Sequence, residues 1–276
     1  MGVRGIPSGN AAQCFEMRNN MLELKDFQPF EYENLVRRGS THDGGYLLPS
    51  DITTKLLILL GMGDDWKFEL DLINHKQIDR FIVFDHSVDL FNLLKKVINK
   101  RRNFKAFVFR VVVLTRYFKD FVVLKKLHVK KKITKYGSIK SSRETNLFEI
   151  FREFVVDPKS TVILKIDIEG SEFDIIEQIV ELSSQIKVLI IEMHEILKKK
   201  DRVKQSLELL KSRYLLIHTH VNNYGGIDES SIPDVCEFTF INHNLHREYR
   251  KVSRLPRASL DSPSSPGRPD LSIIFT

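Results

Sequence analysis

Apolar residues recur along the chain in two alternating rhythms. Runs at 55–60, 80–85, 161–168, 187–193 and 214–219 are rich in Val, Ile, Leu and Phe on successive residues, as strands covered on both faces require. Between them, 65–75, 87–101, 171–182 and 196–213 place apolar residues three and four apart, the spacing of one helical face. The alternation predicts right-handed βαβ crossovers and an α/β fold: a Rossmann-like, doubly wound, mostly parallel sheet. Two later runs, 235–241 and 271–275, are joined by a loop rich in Pro and Ser at 255–269 instead of a helix. They are expected to close the sheet as an antiparallel C-terminal strand pair.

Residues 104–124 read as an amphipathic basic helix or helix pair inserted between the second and third sheet strands, with 130–136 as the third strand. The expected organisation is a lead-in and helix over 1–38 and one domain over 39–276, carrying a basic insertion at about 104–126. Apolar residues make up 42% of the chain, ample for a packed core. No run of about 18 uncharged apolar residues occurs, and the first thirty residues lack the apolar stretch of a signal peptide, which points to an intracellular, cytoplasmic address. Cys14 and Cys236 are too far apart in sequence to match a metal or disulfide spacing.

The net charge of +7 conceals an asymmetry. Between Lys95 and Arg143 there are 17 Lys and Arg against one acid, Asp120, so the remainder of the chain is acidic. Such a segment suits an anionic partner, nucleic acid or a membrane surface, or else forms a solvated helix face. The apolar run VFRVVVLTRYF within it makes packing on the domain, or a peripheral position along a membrane interface, an equal alternative.

In a doubly wound sheet, ligands sit at the carboxyl ends of the strands near the topological switch point, so the loops after each strand carry the chemistry. After the first strand comes GMGDDWKFE, where Gly61 and Gly63 allow a tight turn into a helix. After the second stands Asp85, about twenty residues on, where a ribose-binding acid belongs in nucleotide folds. KIDIEGSEFDII follows the fourth strand, with Asp167 and Glu169 alternating with Ile166 and Ile168 and so sharing one face. Both acids bind a ligand there, or they cap the next helix and pair with Lys165. Glu192 and His194 are again two apart after the fifth strand, and His218, His220 and Asn222 share a face after the sixth.

These residues resemble the FkbM-type methyltransferases. The hallmark is KIDIEGSE at 165–172, followed by a strand ending in IEMHE at 191–195. THDGGYLLP at 41–49, GMGDDWKFE at 61–69, VFDHSV at 83–88, IPDVCEFTFI at 232–241 and the closing LDSP and PDLSIIF support it by order and spacing. The resemblance implies a class I methyltransferase-like fold, S-adenosylmethionine as donor and methylation of a hydroxyl on a sugar or other small molecule. It places Gly61 and Gly63 under the donor's methionine part, Asp85 on its ribose hydroxyls, and Asp167 and Glu169 between donor and acceptor. Leu59 stands where the family often has an acid and Asp65 where a third glycine is common, so Asp64, Asp65 or Glu69 is expected to supply the missing carboxylate.

Methyl transfer from a sulfonium is an in-line displacement, so the protein aligns the partners and removes the acceptor's proton. His194, or less readily His220, is expected to take that proton, oriented by Glu192 or Asp167. Asp43, Tyr46, His218, His220 and Asn222 are expected to contact the acceptor, a small molecule or glycan. A divalent metal held by Asp167, Glu169, Glu192, His194, His218 and His220 is a less favoured alternative. A hydrolase, or a non-catalytic module gripping an anionic partner, is a further one. The sequence carries no signal for an oligomeric state.

Overall fold

The structure is a computed structural model that describes residues 21–63, 65–85, 90–99, 107–115, 128–129, 132–133, 144–157, 159–245 and 250–275. A hairpin, β1 (Leu35–Gly39) with β2 (Gly45–Pro49), precedes the main sheet. The main sheet takes in β3 (Leu56–Leu60), β4 (Arg80–Phe84) and β5 (His128–Val129). Beside it, β6 (Lys132–Ile133) pairs with β7 (Glu144–Thr145). The sheet continues with β8 (Val162–Ile166), β9 (Ile186–Met193), β10 (Tyr214–Val221) and β11 (Cys236–Asn242). Among the described residues its order is β10-β11-β9-β8-β3-β4-β5. Strands β3, β4, β5, β8 and β9 run parallel, while β11 lies antiparallel to both β9 and β10. A reversed strand slotted between the last two parallel ones separates this sheet from a dinucleotide-binding one.

Apolar runs make these strands because both faces are covered. In β3, Leu56, Ile58 and Leu60 join one core cluster with Leu164, Ile166 and Ile191, while Leu57 and Leu59 join another with Ile163, Val188 and Ile190. Each such side chain contributes roughly 1.5–3 kcal/mol on full burial, which a sheet bare on one side would forgo for half of them. Helices α1 (Lys67–Asn74) and α2 (Leu90–Asn99) follow β3 and β4, and α3 spans 107–115. Then come α4 (Leu147–Phe154), α5 (Ile176–Glu181) and α6 (Lys200–Lys211). The last three pack on the first face, and α1, α3 and the hairpin on the second. No helix among the described residues is long and apolar enough to cross a membrane.

Four sequence expectations need correction. The antiparallel partner of 235–241 is not 271–275: β11 pairs with β10 and β9, while Ile273–Ile274 (β13) pairs with Arg254–Leu255 (β12) in a separate ribbon. The physical reason is reach. β10 offers eight buried residues, whereas Ser272 and the Pro269–Asp270 pair leave the terminal run only two to pair. The third strand of the sheet is His128–Val129, just before the expected 130–136, and Lys132–Ile133 turns away to β7. The helices over 171–182 and 196–213 both begin as 3-10 turns, Glu172–Asp174 and Ile196–Lys198, with α5 and α6 following. The hairpin and α4 were not anticipated; α4 is capped by Asn146, whose side chain accepts from the Glu149 amide. The lead-in before residue 21 and most of the basic insertion lie outside the described residues. Within the insertion, α3 matches the expected helix.

Candidate active site

The carboxyl edge of the sheet is built by neighbouring strands. β3 lies between β4 and β8, and β8 lies beside β9, so Asp85, Gly61, Asp167 and Glu192 succeed one another along this edge. The loops are tied as the strands are: the Gly61 amide donates to the Phe84 carbonyl at 2.9 Å and the Asp167 amide to the Leu60 carbonyl at 2.8 Å. Gly61 has φ +83°, and a Cβ there would lie 1.7 Å from the Asp167 carbonyl oxygen, so any side chain forces the neighbouring backbone to move. Gly63, at φ +66°, faces open space. Asp85, buried, accepts through Oδ2 from the Met62 and Gly63 amides at 3.0 and 3.3 Å, which fixes the glycine turn. Asp64 lies outside the described residues. Asp65 bonds the Ser40 hydroxyl, and Glu69 is buried with Oε2 unpartnered. Burial pushes the Glu69 carboxyl up to about 7 against the pull of Lys165.

Next along the edge, His194 stands among four carboxylates. Its Nδ1 lies 3.0 Å from Glu172 Oε1, and its Nε2 lies 3.9, 3.8 and 3.7 Å from Asp167, Glu192 and Glu169. Burial pulls the imidazole down, but the Glu172 hydrogen bond and the charges of Glu192, Glu172 and Asp167 push it up to about 9. Glu192 is buried and accepts from Asn222 Nδ2 at 2.8 Å. Burial, with Asp167 and Glu237 nearby, holds its carboxyl well above the ordinary range, against His194 and Asn222. The turn beneath is strained: Glu169 has φ +54°, a left-handed conformation uncommon without glycine. Glu172 stabilises it by accepting through Oε1 from the Ile168 and Gly170 amides at 3.2 and 3.0 Å.

The far wall comes from the hairpin and residues 255–270. Tyr46 is buried, with the Lys165 ammonium 4.5 Å from its ring centre. Lys165 Nζ is also 3.9 Å from Asp167 Oδ2. Asp43 sits at the solvent-facing rim, its carboxyl raised by partial desolvation and by Glu237 and Asp167. The Asp43 amide donates to the Ser264 carbonyl at 3.1 Å, and His42 Nδ1 lies 2.9 Å from the Pro263 carbonyl. His218 is held at 2.9 Å by Asp261, and His220 at 3.4 and 3.2 Å by Glu237 and Asp270. Both rings anchor the 255–270 segment, and neither is ion-paired with Asp167, Glu169, Glu172 or Glu192.

The structure therefore gathers Gly61, Gly63, Asp85, Asp167, Glu169, Glu192, His194 and Asn222 along one edge, with Tyr46 and Asp43 opposite. Sequence reasoning missed two participants, Glu172 and Glu237. Glu172, not Glu192 or Asp167, fixes the His194 ring; its place at the start of a helix concealed that it folds back. Lys165 pairs with the acids as the sequence suggests, and it also lies on Tyr46. Glu237 faces Glu192 in the β11–β9 register, at the beginning of a strand instead of its end.

A profile of the methyltransferase FkbM domain matches residues 81–224, just over half of the chain. Among curated proteins, none matches the sequence. Among solved structures, the chain is similar to a putative tRNA (m1A22) methyltransferase of Streptococcus pneumoniae at 12% identity and a TM-score of 0.35, covering 72% of this chain and 68% of that one. It is similar to the Methanococcus jannaschii fibrillarin pre-rRNA processing protein at 10% identity and a TM-score of 0.35, covering 71% and 69%. A third is spermidine synthase from Thermotoga maritima, at 12% identity and a TM-score of 0.33, covering 78% and 79%. Likenesses this remote carry no functional argument. The matched segment does, since it runs from β4 through β10 and contains Asp85, Asp167, Glu169, Glu192, His194 and Asn222. The chain belongs to the FkbM methyltransferase family, enzymes that draw their methyl group from S-adenosylmethionine.

Proposed function

We propose that the protein transfers the methyl group of S-adenosylmethionine to a hydroxyl of a small molecule or glycan. The observation that carries this reading is the contiguity of the glycine turn, Asp85 and the Asp167–Glu192–His194 group at the carboxyl ends of four adjacent strands. The residues suit the donor: the turn over Gly63 is open, and carboxylates face a ligand that brings a sulfonium and an ammonium cation. Gly61, Gly63 and Asp85 would hold it, with Asp167 and Glu169 on the side of the acceptor. When bound, it supplies an electrophilic methyl group for in-line displacement.

The chain's own share is alignment and proton removal. An acceptor oxygen lodged beside Asp167 passes its proton to His194 Nε2 once the raised imidazole has lost its own, so turnover climbs with pH toward about 9; Glu192 Oε1 faces that nitrogen at 3.8 Å. Glu172 keeps Nε2 turned inward by holding Nδ1, and Asn222 fixes Glu192. Tyr46, Asp43 and the segment anchored by His218 and His220 form the acceptor wall. General-base help of this kind is worth roughly 10²–10⁴-fold. Calorimetry with S-adenosylmethionine tests the donor half: micromolar binding that weakens at least tenfold in Asp85→Ala is expected, and a wild-type protein that does not bind the donor overturns the reading. Transfer of labelled methyl to hydroxyl-bearing acceptors, compared with amine-bearing ones, tests the acceptor half.

A second reading concerns residues 95–143. On α3, Val108, Phe109, Val111 and Val112 are exposed while Val113 is buried against the sheet. An apolar face beside a basic run suits an anionic membrane surface. Sedimentation with anionic vesicles, weakening steeply with salt, supports it; equal binding to neutral vesicles counts against it.

A further inference from the structure

We infer that Asp167, Glu192 and His194 form a binding site for a divalent transition-metal ion at the carboxyl edge of the sheet. One oxygen or nitrogen from each lies within 4.8 Å of the others. His194 Nε2 stands 3.9 Å from Asp167 Oδ1 and 3.8 Å from Glu192 Oε1, beyond hydrogen-bond reach. Two ligand atoms sharing an ion through bonds of about 2.0–2.2 Å stand roughly 3–3.5 Å apart. The two histidine–carboxylate spacings close to that range with a contraction of under 1 Å, and the Asp167–Glu192 spacing closes from within 4.8 Å.

Each ligand is already oriented by a partner of its own. Glu172 holds Nδ1, in the carboxylate–histidine arrangement that aims the opposite nitrogen at a metal. Asn222 holds Glu192, and Lys165 attends to Oδ2 of Asp167, leaving Oδ1 toward the imidazole. A separate observation points to a ligand. Tyr46 is only 5% exposed, yet its hydroxyl makes no hydrogen bond to any described residue, and it lies where the charges of Asp167, Glu192, Glu237 and Asp43 all bear on it. The ring is enclosed while the hydroxyl oxygen is not among the fully buried unpartnered atoms, so it is open to a partner from outside the protein. A coordinated water or acceptor oxygen on the ion would be that partner.

Two carboxylates and a neutral imidazole balance a divalent charge, and the mixed oxygen–nitrogen set suits Mn²⁺, Fe²⁺ or Zn²⁺ better than Ca²⁺. The inference deepens the proposed function. An ion here would bind the acceptor's hydroxyl and lower its pKa, with His194 as ligand and the released proton passing to the exposed Glu169 carboxylate or to solvent water. The two roles of Nε2 exclude each other, so metal occupancy decides between them.

The test is calorimetric titration of the chelator-treated full chain with Mn²⁺ and Zn²⁺, with Mg²⁺ and Ca²⁺ for comparison. One ion per chain is expected, with Glu172→Gln weakening it about 10–100-fold and Asp167→Asn and His194→Ala weakening it further. Thermal melting guards against misfolding: the ion should raise the melting temperature of the wild type and not that of the folded variants. S-adenosylmethionine binding to the metal-free wild type is titrated in parallel, so failure of the donor reading and failure of the metal site are read separately. Absence of stoichiometric binding, or variants that bind the ion as the wild type does, overturns the inference while leaving the donor result to judge the methyltransferase reading.

Discussion

Gly61 and Gly63 share a left-handed backbone but differ in surroundings, so alanine at each should fail differently. Either substitution incurs about 1–2 kcal/mol of left-handed strain. At Gly61 the new Cβ would also stand 1.7 Å from the Asp167 carbonyl oxygen. Relieving that overlap costs about 1–3 kcal/mol more. For a chain of 276 residues, 1 kcal/mol corresponds to roughly 2 °C of melting temperature. Gly63→Ala should therefore melt roughly 2–4 °C below the wild type and Gly61→Ala roughly 4–10 °C below it. Donor affinity reverses the emphasis. The methyl of Gly63→Ala projects into open space assigned to the donor, and tenfold weaker binding corresponds to about 1.4 kcal/mol. Scanning calorimetry and titration with S-adenosylmethionine read the two effects. Equal melting temperatures for the two variants, or wild-type donor affinity in Gly63→Ala, would refute the reasoning.

Three other outcomes follow from the same edge. His194→Ala should lower turnover by roughly 10²–10⁴-fold with donor affinity unchanged, measured by labelled methyl transfer under saturating donor; wild-type turnover removes His194 from the mechanism. Burial pulls His220 down, but Glu237, Asp270 and Asp261 push it up to about 10, against about 6.5 unfolded. The fold holds that proton more tightly, so its stabilisation is complete below about pH 6.5 and is lost as pH rises through about 10; His220→Gln should flatten the alkaline fall in melting temperature. Glu69, pushed by burial up to about 7 from 4.5, opposes folding increasingly as pH rises between those values. Glu69→Gln should thus melt higher than the wild type at pH 8, with the gain gone by about pH 4, and a lower melting temperature at pH 8 contradicts this account.

The main strands were legible in the sequence because burial on both faces leaves no polar alternation, and β3, β8 and β9 are apolar nearly throughout. Reading the residues just past each strand then located Asp85, Asp167, Glu192 and His194. That rule is blind to a strand entering the edge backwards. Glu237 opens β11, and only tertiary pairing sets it opposite Glu192. Glu172 escaped for another reason: the left-handed Glu169 turns the chain back on itself, and backbone of that sign at a non-glycine residue leaves no mark in composition. The hairpin was hidden by Arg37 and Arg38, which break the apolar run of β1. The terminal pairing failed because two-residue strands carry no periodicity.

Residues 255–270 reach the rest of the protein through side chains more than through a shared ladder. Asp261 and Asp270 take His218 and His220, Asn223 donates to the carbonyls of Ser265, Arg268 and Pro269, and the His42–Asp43 turn meets Pro263 and Ser264. The proposed donor site, by contrast, is written into the parallel strands themselves. If this segment walls the acceptor as proposed, selectivity for the molecule being methylated can drift by swapping loop residues between these few anchors, and a grafted loop that preserves the two histidine clasps should redirect the enzyme without rebuilding it.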